Sequence, residues 1–317
     1  MGVRRVMIRV VAGLGLVACL SWPSSPATAA CGVFPANNYW HADIRSLPVN
    51  PRSAQWLSHM GASTVKLHPD FGPYGTGEAP YGIPITSVAA DHPKVSVAFE
   101  YSGESDHVLY PLGSDTKIEG GWNSGGDMHA ILVDFASCRL YETWNTRRSS
   151  AGRWQAGSGA TWSLASNALR PDGWTSADAA GLPIYPGLLR WSEVKALSVR
   201  HAIRFTTNET SAHHVWPARH DASDITSLTY PPMGARFRLK SSFPETGYSA
   251  YARAVIKAMK IYGLVLADNG SRWFFQGEQF AGWPSSLVEE LKRIPARYFE
   301  AVDTSKLPHT AGSAAVG

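Results

Sequence analysis

The chain has 317 residues, a formal net charge of +4 and only 17% charged side chains. That mild balance gives no footing for a nucleic-acid partner, and no P-loop, dinucleotide fingerprint or HExxH motif points to a nucleotide or a metalloprotease. Twelve tryptophans, 29 glycines and 21 prolines, scattered without a period, predict many turns and short strands rather than a collagen-like or linker sequence.

Arg4, Arg5 and Arg9 precede an uncharged apolar run from Val10 to Leu20, and Ala27-Thr28-Ala29 offers a small-x-small cleavage site. This is the pattern of a secretory signal over residues 1–29, with Ala30 as the first mature residue. A second processing site competes with it. Leu16-Val17-Ala18-Cys19 looks like a lipoprotein box, in which Cys19 would carry a lipid. The prediction is a secreted protein, with anchoring at the cell surface through Cys19 as the alternative. No second long apolar segment follows, so no transmembrane segment is expected in the mature chain. Removal of the signal leaves Cys31 and Cys138, and two thiols in an exported chain most economically form one disulfide.

In chain order, 51–60 reads as a short helix. Lys94 to Tyr101 places Val95, Val97, Phe99 and Tyr101 on one face, the period of a strand. Met128 to Asp134 places His129, Ile131 and Val133 on one face, and Cys138 to Trp144 reads as its hairpin partner. Residues 176–180 suggest another short helix. Arg200 to Thr206 and Gly234 to Phe243 alternate as strands. Ser249 to Tyr262 carries Ala252, Val255, Ile256 and Met259 at helical spacing, with Gly263 as a stop. Gly263 to Ala267 and Arg272 to Gln276 flank Asp268-Asn269-Gly270 and predict a hairpin. Ser285 or Ser286 caps a last helix through Arg293. The pattern is mostly β: a β-sandwich or jelly-roll-like single domain over 30–306, with long loops, one or two short helices and a disordered tail at 307–317. Loops at 68–85, 102–127 and 166–188 are long enough to expect a functional role.

Several groups of residues suit chemistry. Glu104 and Asp106 lie two apart beyond a strand end, fit for acid–base work, for calcium, or for capping a turn. Asp127 and His129 open a buried strand and are predicted to point the same way, as a base beside its orienter; a core histidine satisfied by a carbonyl is the other reading. His201 opens its strand with the same local form. If the two strands are neighbours, His129 and His201 meet at one cleft rim as a catalytic or metal site. Trp216, Arg219 and His220 combine an aromatic plane with cationic donors suited to a sugar, and Trp174 is one of many loop tryptophans able to stack on one. No clustered Cys/His spacing occurs, so no cofactor is predicted, although a divalent metal stays open. Gly157-Ser158-Gly159 lacks the pattern of a serine nucleophile.

The strings Asn167 to Pro183 (NALRPDGWTSADAAGLP), Gly234 to Lys240 (GARFRLK) and Leu266 to Ser271 (LADNGS) resemble those of a family of exported microbial proteins, over nearly all of the mature chain. The resemblance implies export and brings no activity, substrate or catalytic residue. Where that family has an Arg, this chain has Met128.

These readings together predict a monomeric, secreted, polysaccharide-active enzyme, a glycoside hydrolase or polysaccharide lyase. It would cleave a glycosidic bond of a poly- or oligosaccharide by carboxylate or carboxylate–His acid–base catalysis in a Trp-lined cleft. The alternatives are a non-catalytic glycan or cell-wall binding protein, and a carboxylate-dependent β-sandwich peptidase pairing Glu104 or Glu119 with Gln155 or Gln276.

Overall fold

The computed structural model describes residues 1–2, 31–73 and 81–317. The predicted signal, with Cys19, lies outside the described residues. Strands dominate: β1 (His68–Asp70), β2 (Ile85–Ser87), β3 (Val97–Phe99), β4 (Ala130–Asp134), β5 (Arg139–Trp144), β6 (Arg147–Arg148), β7 (Trp154–Ala156), β8 (Ser158–Ser163), β9 (Ile203–Thr207), β10 (Arg236–Leu239), β11 (Leu264–Asn269), β12 (Phe274–Gln276) and β13 (Phe299–Val302). The α-helices among the described residues are short: α1 (Ser53–His59), α2 (Trp191–Lys195), α3 (Ala250–Ile261) and α4 (Ser285–Leu291).

The strands form a six-stranded sheet, β1-β12-β9-β11-β10-β13, a four-stranded sheet, β2-β4-β5-β8, and a three-stranded sheet, β3-β7-β6. Period-two alternation in β4 explains how they stack. Ile131 and Val133 join a core that also holds Ile203, Phe205, Phe237 and Phe275 of the six-stranded sheet. Ala130 and Leu132, on the opposite face, join Trp154 and, at its edge, Val97 and Phe99 of the three-stranded sheet. The four-stranded sheet is therefore the middle layer, buried on both faces.

The β4–β5 hairpin forms as the alternation predicts, with Ile131 opposite Glu142 and Leu132 opposite Tyr141. Ser249 caps α3 by accepting from the Ala252 amide at 3.2 Å. Cys31 and Cys138 are joined by a disulfide, with Cα atoms 5.6 Å apart. No helix among the described residues is long and apolar enough to cross a membrane.

Three expectations fail. The Asp268-Asn269-Gly270 turn does not close a hairpin: β9 lies between β11 and β12, parallel to the first and antiparallel to the second. Trp273 decides this. Its ring is fully buried 5.4 Å from Phe205, and the amides of Gly270 and Trp273 donate to Thr207 and Thr206 of β9. Residues 176–180 are not helical, because the Ser176 hydroxyl takes the Asp178 amide at 2.9 Å and reaches the Leu182 carbonyl at 2.7 Å. The tail at 307–317 is docked rather than disordered. Ala315 bridges to Asn38, Ser313 bridges to Ala168, and Ala314 is buried.

Candidate functional site

A cleft of about 310 Å³ opens where the loops at 102–127 and 166–188 meet the ends of the sheets. It is lined by Tyr101, Glu104, Asp127, Trp144, Asp178, His220, Asp268 and Asn269, with the backbone of 175–179 along one side.

Two carboxyls and an arginine form its buried end. Arg204 lies in the apolar strand β9, where a charge must find partners. Its Nε donates to Asp178 Oδ2 at 3.2 Å, and its Nη2 lies 3.7 Å from Asp268 Oδ2. The Ala180 amide donates to the Ala267 carbonyl at 2.9 Å, which ties the 166–188 loop to β11 beside Asp268. A bulge between Leu266 and Asp268 shifts the register against β9. Such a bulge re-aims the side chain that follows it. Asp178 Oδ1 is buried with no hydrogen-bond partner among the described residues. Burial raises the Asp178 carboxyl against the opposing pull of Arg204. Burial and the neighbouring Asp178 push Asp268 up to about 7.

Glu104 also lines the cleft; its Oε2 accepts from the Thr175 amide at 3.0 Å and sits 3.8 Å from His220 Nε2. The His220 Nδ1 donates to the Ala179 carbonyl at 2.8 Å, so its Nε2 edge is the one turned to Glu104. Tyr101 and Trp144 form the aromatic wall, with ring centroids 6.2 Å apart, and the Trp144 indole donates to Asp127 Oδ1 at 3.3 Å.

Behind Asp127, the buried His129 places Nδ1 2.5 Å from Glu119 Oε2 and Nε2 3.0 Å from the Ala177 carbonyl. Burial pulls the ring down, but Glu119, helped by Asp127, outweighs it and holds His129 at about 9. One ligand atom from each of Glu119, Asp127 and His129 lies within 4.8 Å of the others, a spacing that could hold a metal ion.

Of the predicted catalytic residues, the structure gathers Glu104 and Asp127 in the cleft, with His129 behind them. Asp106 is a structural anchor instead: its Oδ2 takes the Thr161 amide and an Arg170 Nη1, both at 2.8 Å. His201 is separate, bound to Glu193 at 3.0 Å and to the Ala202 carbonyl at 2.8 Å. The two-histidine site does not form, because β4 and β9 belong to different sheets. Of the predicted sugar-binding residues only His220 lines the cleft. Trp216 donates to the Ser313 carbonyl and stacks on His309, and Arg219 binds the Arg170 carbonyl and Asp172. Trp174 lies 5.5 Å from the Arg170 guanidinium. The cleft wall holds Trp144 rather than a row of tryptophans, since Trp40, Trp154 and Trp162 are core residues. Neither Gln155 nor Gln276 lines it; Gln276 instead hydrogen-bonds Asp70.

Sequence reasoning passed over Asp178, Arg204 and Asp268. The signal for two of them was present: Arg204 stands between Ile203 and Phe205, and Asp268 ends the apolar run Leu264 to Ala267. A charge inside a buried apolar strand needs a partner of opposite sign. Comparison with protein families, with curated proteins and with solved structures finds no match to this chain.

Proposed function

We propose that the chain is an exported glycoside hydrolase that acts on a poly- or oligosaccharide in the cleft between Trp144 and Asp268. The observation that carries this reading is the convergence of Glu104, Asp127, Asp178 and Asp268 on one cleft with an aromatic wall. Its size is at the lower end of ordinary ligand sites, about 300–1,000 Å³. A carboxyl raised by burial keeps its proton near neutral pH, as a general acid must. Asp268 is assigned that role: it protonates the glycosidic oxygen as the bond to the anomeric carbon breaks. Glu104, held by the Thr175 amide with His220 beside it, takes a proton from the water whose oxygen joins the anomeric carbon. Tyr101 and Trp144 offer ring faces to the sugar.

The same charge pattern favours hydrolysis over a lyase reaction. A lyase must neutralise a uronate next to the bond, and the described lining of the cleft holds no Lys or Arg to do so. The substrate is accordingly a neutral or amino-sugar glycan. Export is supported by the Cys31–Cys138 disulfide, which persists in oxidising compartments.

The test is product release from a panel of neutral, amino-sugar and uronate glycans, measured as new reducing ends. The wild type should release product from a neutral or amino-sugar glycan, while Asp268→Asn and Glu104→Gln should not. Binding without release by the wild type would turn the protein into a glycan-binding module and end the hydrolase assignment.

A further inference from the structure

We propose that Glu119, Asp127 and His129 form a binding site for one divalent transition-metal ion that accepts an imidazole and two carboxylates, Zn²⁺ or Mn²⁺ being the fitting class. One ligand atom from each residue lies within 4.8 Å of the others.

The histidine gives the cluster its direction. His129 is 3% exposed, and its Nε2 lies 3.0 Å from the Ala177 carbonyl oxygen. A carbonyl can only accept, so Nε2 carries a hydrogen and is spent. The other nitrogen, Nδ1, faces Glu119 Oε2 at 2.5 Å. With its hydrogen on Nε2, a neutral ring presents a lone pair at Nδ1, and the carboxylate presents another. Two lone pairs this close need a positive centre shared between them. A proton serves in the ion-free protein, and a metal ion would take its place with modest separation of the two groups. The Ala177 carbonyl is the outer partner that a metal-bound histidine almost always has, fixing both tautomer and ring orientation.

The donor set narrows the ion. Calcium and magnesium prefer all-oxygen shells, whereas an imidazole with carboxylates suits zinc or manganese. Access narrows its role. Asp127 lines the cleft and Glu119 lines the cavity beside it, so the ion would sit on the wall between them. Three protein ligands leave a coordination position free for water or for a sugar hydroxyl, the arrangement of metal sites that meet substrate.

This inference stands apart from the hydrolase reading, because metal binding is measured with no glycan present. The oxidised mature protein is stripped with a chelator and titrated by calorimetry with Zn²⁺, Mn²⁺ and Ca²⁺ in turn. One Zn²⁺ or Mn²⁺ per chain is expected, with weaker Ca²⁺ binding. Asp127→Asn and Glu119→Gln should each weaken the ion by more than about tenfold, and His129→Gln should abolish its binding. His129 is buried, so the exposed Asp127→Asn carries the test if the histidine variant does not fold. The proposal is overturned by a folded, stripped protein that binds neither Zn²⁺ nor Mn²⁺. Unchanged affinity in both carboxylate variants overturns it too, as does preference for Ca²⁺.

Discussion

Arg204 and Asp178 form an ion pair with both side chains almost wholly out of solvent, 2% and 0% exposed, at 3.2 Å. Removing one partner of such a pair leaves the other as an uncompensated buried charge, which costs about 3–5 kcal/mol. Arg204→Met should therefore lower unfolding free energy by that amount at pH 8. At pH 5 the loss should be smaller, because Asp268, pushed up to about 7 by burial and by Asp178, takes up a proton and no longer needs the cation. Denaturant unfolding at the two pH values measures it, and an equal loss at both would refute the assignment of Arg204 as their counter-charge.

That pair also marks where sequence reasoning stops. Of the middle sheet, the β4–β5 hairpin was legible because His129, Ile131 and Val133 alternate along one face and the partner strand follows after a short turn, while its neighbours β2 and β8 were not. Helix α3 was legible because Ser249 and Gly263 bracket a helical apolar stripe. The β11–β12 region was not, since its turn residues predict a local hairpin while the burial of Trp273 draws β9 between the strands. The site divides similarly. Glu104, Asp127 and His220 stood out by local pattern. Asp178 and Asp268 come together only because the Ala180–Ala267 hydrogen bond joins segments far apart in the chain.

The shifted carboxyls set a pH dependence of stability. Glu142 is raised to about 7 by burial, despite accepting from the Ile184 and Tyr185 amides, and Asp178 and Asp268 are raised too. A raised carboxyl binds its proton more tightly in the folded state, so stability falls as pH climbs from the unfolded pKa, about 4, through the folded one. Glu193 works the other way. Its burial is outweighed by His201 and Arg190, which hold it at about 2, so its contribution is present above about 4.5 and lost in stronger acid. The melting temperature should peak near pH 5 and decline toward pH 8. A maximum at pH 8 would contradict these shifts.

Catalysis should follow the same acid. With Asp268 as proton donor, kcat/KM should fall about tenfold per pH unit above a midpoint near 7. A substrate with a strongly activated leaving group needs no protonation. Asp268→Asn should recover much of its activity on such a substrate and lose the alkaline limb. Retention of that limb in the variant would move the acid to another residue.

The disulfide closes a separation of 107 residues between Cys31 and Cys138. Chain-entropy reasoning gives about 5 kcal/mol for a loop of that length. Reduction under native conditions should lower the unfolding free energy by up to that amount and loosen the N-terminal segment, where Tyr39 and Trp40 are buried. Calorimetry with and without a phosphine reductant reads the loss. No change in melting temperature would show that the segment is held by its packing alone.

The aromatic wall depends on one glycine. Gly157 donates its amide to the Trp144 carbonyl and accepts from the Tyr101 amide, both at 2.8 Å, so it sits between the two rings that line the cleft. A Cβ at this position would overlap the Trp144 indole. Trp144 is only partly buried, so Gly157→Ala should displace the ring rather than unfold the sheet. Losing one stacking platform is worth about 1 kcal/mol, a several-fold weaker oligosaccharide affinity. If the glycine acts through the ring, Trp144→Ala should weaken binding similarly, and the double variant should add nothing further. Additive losses from the two substitutions would mean that Gly157 shapes the cleft by another route.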